Sequence, residues 1–143
     1  MNRSPRLALV MVTTAAALAF AAGCGNSEQN AALQSAVTDA ASGVQTGDVK
    51  GTLDAIDAAQ QAVADNADAI EAIDPPSEVA DLHQQLVETT RNVADEFAAY
   101  REALGSGSAQ KIKQGAQDFQ SGVTAELQKQ SQIVDDINAE FEN

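Results

Sequence analysis

IDPPSEVADLHQQLVETTRNVADEFAAYREAL, residues 73–104, decides the fold. Two adjacent prolines interrupt any helix running into them. Pro76 pushes Pro75 out of the helical region, while Pro76 itself suits a first helical position. Glu78 then falls in a first turn, where the helix dipole favours an acid. Beyond it Val79, Leu82, Leu86, Thr90, Val93, Phe97, Tyr100 and Leu104 recur at steps of three and four, which predicts a helix over about residues 76–104.

The same stepping extends in both directions. Upstream, Val49, Leu53, Ile56, Gln60, Val63, Ala67 and Ile70 mark a helix over about 48–73, with Asp48 as N-cap directly after Gly47. Before that, Leu33, Val37, Ala40 and Val44 mark one over about 28–46. Downstream, Gly105-Ser106-Gly107-Ser108 closes the third helix and offers Ser108 as the next cap. Ile112, Ala116, Phe119, Val123, Leu127, Gln130, Ile133, Ile137 and Phe141 then mark a fourth helix over about 108–141. Gly115 and Gly122 interrupt that last helix, each at a cost of about 1 kcal/mol against alanine. Connections this short make neighbours run antiparallel, so the expected fold is all-α, an up-down-up-down four-helix bundle over residues 28–143. Composition agrees, being rich in Ala and Gln with 3% aromatics, and period-two strand patterns are missing.

Residues 1–23 follow a different plan. Arg3 and Arg6 give a positive start, Leu7 to Ala22 give an apolar run of 16, and Ala21, Ala22 and Gly23 are small residues of the kind a signal peptidase needs near its cut. Sixteen residues rise only about 24 Å as a helix, short of the roughly 30 Å hydrocarbon layer, which favours a cleaved leader over a permanent span. At its end stands Cys24, the only cysteine of the chain.

Ala21-Ala22-Gly23-Cys24 resembles the lipobox of bacterial lipoproteins, with Ala21 at the position the family usually gives to Leu. The resemblance covers the leader and its junction. It implies that Cys24 takes a diacylglycerol and becomes the first residue of the mature chain, tethered through residues 24–27 to the extracytoplasmic face of the cell membrane. The alternative is an ordinary secretory leader cut nearby, leaving a lone thiol with no partner in the chain. Across the third helix, Pro75, Pro76, Glu78 and His83 are similar to small actinobacterial helical lipoproteins, a likeness that implies location and fold and no activity.

Removal of the leader leaves six bases against 21 acids, a net charge of −15. Such a surface repels phosphate backbones and anionic headgroups, which argues against nucleic-acid binding and leaves membrane attachment to the lipid. Met1 and Met11 depart with the leader, so haem held by His and Met and thioether copper sites have no ligands. The Glu-x-x-His of di-iron bundles fails because Ala80 stands three residues before His83. Asp65-Asn66-Ala67-Asp68 lacks the glycine turn of an EF-hand loop, and no glycine loop for phosphate is present. The sequence therefore points to no cofactor, no metal and no catalytic residue. The expected role is a non-enzymatic structural or interaction module of the cell envelope, meeting an envelope protein partner; a helix-swapped dimer stays open. The alternative is a carrier or sensor for a small ligand or cation.

Two features bear on that alternative. A hairpin pivoting near residue 75 would set Gln60 opposite Thr90, and a second pivot near 106 would add Gly122 to the same layer, forming a register device, a partly exposed layer or a small pocket for an amphipathic ligand. The same fold would place His83 near Asp68, as a pH sensor or metal ligand, or as a boundary residue hydrogen-bonded to a carboxylate or Gln. Charge is also divided, with Lys50, Arg101, Lys111 and Lys113 at one end. Asp65, Asp68, Glu71, Asp74, Glu78, Asp81, Asp135, Asp136, Glu140 and Glu142 lie at the other, where they would stand off the bilayer or gather divalent cations weakly.

Overall fold

A computed structural model describes residues 47–142, together with Ser35 and Asp39, which are both helical and exposed. Apart from those two positions the first expected helix lies outside the described residues, as do Cys24 and the leader. Among the described residues the chain is all helical. Helix α1 spans Val49–Glu71, a 3-10 turn spans Ser77–Val79, α2 spans Ala80–Gly105 and α3 spans Ala109–Glu142.

Local chemistry fixes each end. Gly47 adopts φ +76°, a conformation that side chains disfavour, and this turns the chain into the cap. Asp48 Oδ1 then accepts from Gly51 N at 2.9 Å and Asp48 O accepts from Thr52 Oγ1 at 2.8 Å. A side chain at Gly51 would meet only the movable carboxylate end of Asp48. Between α2 and α3, Gly107 adopts φ +65° and Ser108 Oγ accepts from Lys111 N at 3.4 Å.

The turn between α1 and α2 departs from the sequence reading. Pro76 is extended, at φ −54° and ψ 149°, and caps the 3-10 turn instead of opening α2; its carbonyl accepts from Val79 N at 3.1 Å. Val79, at φ −116°, breaks the path again, so α2 begins at Ala80. Because a full turn of chain is spent after the prolines, the hairpin pivots near residue 79, not 75. The ion pairs Asp57 with Arg101 and Glu71 with Arg91 report that register and show that α1 and α2 run antiparallel.

Helix α2 is the centre of the arrangement. It packs along α1 on one side and α3 on the other, and α1 and α3 do not pack on each other. The core joins Ile56, Ala59 and Val63 of α1 to Val93, Ala94 and Phe97 of α2 and Val123 of α3. Phe97 meets Phe119 edge-on at 4.9 Å between ring centroids, and Tyr100 stacks on Phe119 at 5.0 Å. On α1 the buried seam is Thr52, Ala55, Ile56, Ala59, Val63 and Ala67; Ile56, Val63 and Ala67 are as expected, while Thr52, Ala55 and Ala59 are buried where the stripe had Val49, Leu53 and Gln60. Val49 is 62% exposed and Leu53 and Gln60 are half-buried.

Candidate functional site

The three residues expected to share one layer do not meet. With the first pivot near 79, Gln60 is level with Ala98, about 12 Å along the helix from Thr90. The bond between Thr90 and Gln130 and the contact between Phe97 and Phe119 put the second pivot near residue 109. Gly122 therefore lies opposite Glu96, about six residues or 9 Å from the level of Thr90.

Each of these residues has a different neighbourhood. Thr90 is 1% exposed; its hydroxyl donates to Leu86 O at 2.8 Å and accepts from Gln130 Nε2 at 3.1 Å. The bond crosses the α2/α3 interface and would be lost by a slip of either helix, so the pair marks their register. Gly122 gives room to the Glu96 carboxylate, which rests where a Cβ would project. Gly115 plays the same part against Ala103, whose Cβ occupies that space. Read as interruptions in the sequence, both glycines are points of close approach between α2 and α3, and their seven-residue spacing on one face was the available signal.

His83 clasps the hairpin. Its Nε2 lies 2.7 Å from Ile70 O, so the ring N–H donates to a carbonyl of the last turn of α1, which also accepts from Ile73 N at 3.0 Å. The contact is with backbone, not with the Asp68 expected from sequence. Asp68 and Glu71 instead bind Arg91, at 3.2 and 2.6 Å, and the hydrogen bond that Arg91 donates to Glu71 is the largest of the causes raising the guanidinium pKa. These pairs are exposed and contribute little to stability.

Between the N-terminal half of α2 and the C-terminal half of α3 runs a groove of about 330 Å³, with Thr89 and Ile133 buried along it and Gln85, Glu88, Asn92 and Asp136 among the polar residues at its edges. Glu126, only 12% exposed, accepts from Lys129 Nζ at 2.6 Å and from Asn92 Nδ2 at 3.3 Å beside it. Sequence reading had not singled out this pair of helix faces. Away from this groove, Tyr100 packs against the core and burial pushes its phenol pKa up.

The acidic end is as expected in composition, yet among the described residues no three acids, histidines or cysteines come together in a way that could hold a metal ion. Ile73 and Phe141, 45% and 64% exposed, are the large apolar side chains left uncovered toward that end. Among the described helices none is long and apolar enough to cross a membrane. Comparison with protein-family models, curated proteins and solved structures returns no match.

Proposed function

We propose that the chain is a bacterial lipoprotein, held on the extracytoplasmic face of the cell membrane by a diacylglycerol on Cys24, and that its helical body is a non-enzymatic structural or interaction module of the envelope. The observation that carries this reading is the order of residues at the N-terminus: a basic start, an apolar run too short to span, then Ala21-Ala22-Gly23-Cys24. A body this acidic gains nothing from anionic headgroups, so a covalent lipid is the consistent means of attachment. In its finer form the proposal includes a fourth helix from residues 28–46 that completes an up-down-up-down bundle.

Growth of the host with an alkyne-bearing fatty acid tests the anchor. The wild-type chain incorporates the label and Cys24→Ser does not; an unlabelled wild-type chain, or a labelled variant, contradicts the proposal.

A second reading, a carrier of a small ligand, draws on the groove between α2 and α3. Its open, polar walls favour a solvated ligand over a buried apolar one. The layer of Gln60, Thr90 and Gly122 lends it no support, since those side chains are dispersed.

A further inference from the structure

A position beside α2 is empty of any described element. Because α1 and α3 each pack on α2 and not on each other, the space between them, diagonal to α2, has walls but no described occupant. On α1, Asp57, Asp68 and Glu71 mark the flank turned to the arginines of α2; at 100° per residue Ala55 and Ala62 lie on the opposite flank. On α3, Gly115 and Gly122 mark the flank pressed against α2, and Ala116, Leu127 and Val134 lie about 100–120° round the helix from them, with Leu127 also packed against the core. Thr52 is only 3% exposed, although α2 stops at Gly105, about level with it. The end of α2 alone does not account for that burial.

We propose that residues 28–46 seat in this space as a helix antiparallel to α1, touching α1 and α3 and lying diagonal to α2. This deepens the four-helix reading above and rests on it. The segment joins α1 directly through Gly47, whose positive φ suits a tight turn before the Asp48 cap. Nineteen helical residues rise about 28 Å, against about 35 Å for the 23 residues of α1, so the length fits. Leu33, Val37, Ala40 and Val44 form one stripe, and Ser35 and Asp39, both helical and exposed, lie on the opposite side of it. The small side chains of Ala55, Ala59 and Ala62 let a neighbouring helix approach closely. A pivot near Gly47 brings Ala40 level with Ala55, and the chain then emerges toward Cys24 at the end that carries Glu71, Asp74 and Asp81.

The test uses the full chain carrying Cys24→Ser, purified in mild detergent, with cysteines introduced in pairs. Ala40→Cys with Ala55→Cys is expected to oxidise to an intrachain disulfide in most molecules, because the two Cα atoms fall within bridging range. Ala40→Cys with Ala58→Cys, the latter exposed on α1, is expected to stay reduced. A reduced first pair, equal oxidation of both pairs, or a disulfide-linked dimer overturns the proposal, the last by assigning the space to a second copy. Val37→Asp supplies a readout without cysteines: it lowers the melting temperature, whereas Ser35→Asp leaves it within a degree or two, and equal effects contradict the seating. Since Cys24→Ser removes the lipid, failure here leaves the anchor standing, and failure of fatty-acid labelling leaves the seating standing.

Discussion

Phe97→Ala is expected to lower the free energy of unfolding by about 3–5 kcal/mol, the range for deleting a buried phenylalanine. Phe97 is 3% exposed and joins all three helices: its ring meets Phe119 of α3 and shares the core with Ile56 and Val63 of α1. Truncation removes apolar contact with both neighbouring helices and leaves a void in the core. For a body of about 100 residues each kilocalorie shifts the melting temperature by roughly 4–8 °C, so the variant should melt far below the wild type or fail to fold at body temperature. Phe141→Ala removes the same ring from a position 64% exposed and is expected to change stability by no more than about 0.5 kcal/mol. Comparable losses from the two substitutions, measured by chemical denaturation, would contradict the packing.

The two glycines of α3 should respond to alanine with opposite signs. Any alanine inside a helix gains about 1 kcal/mol over glycine from reduced chain entropy. At Gly122 the new methyl meets only the far end of Glu96, a flexible side chain that can swing toward solvent, so Gly122→Ala stabilises by up to about 1 kcal/mol. At Gly115 it meets the Cβ of Ala103, which is fixed to the α2 backbone, so the helices must part. Overpacking of that kind costs about 1–3 kcal/mol and outweighs the helix gain, making Gly115→Ala destabilising. Urea melts of the two variants decide the matter, and a shift of the same sign in both would mean that α2 and α3 do not approach at Gly115 as described.

The positions of the helices were legible in the sequence because their signals are local. Asp48 after Gly47, the paired prolines and the Gly-Ser turn each act on the adjoining residues, and all three bound helices where expected to within a few residues. Register was not legible. Pro76 could open a helix or precede a separate turn, and the choice depends on how Ser77, Glu78 and Val79 pack afterwards. Resolving it the other way moved the facing positions of α1 and α2 by about eight residues, which is why Gln60 and Thr90 lie apart. The α1 seam is legible only in part: Ile56, Val63 and Ala67 lie on it as expected, but an apolar stripe favours large side chains, and Ala55 and Ala59 are buried in place of Leu53 and Gln60. His83 was placed correctly beside the hairpin, but a backbone carbonyl as its partner leaves no trace in sequence. Gly115 and Gly122 carry a readable spacing, seven residues apart on one face, that describes the surface shared by two helices more than a weakness in one.

Mass spectrometry of the intact protein extracted from host membranes tests the central claim most directly. The account predicts a chain that starts at Cys24 and exceeds the mass of residues 24–143 by a diacylglycerol on the sulfur. A bare thiol at Cys24, or a chain that keeps the leader or is cut elsewhere, would contradict it.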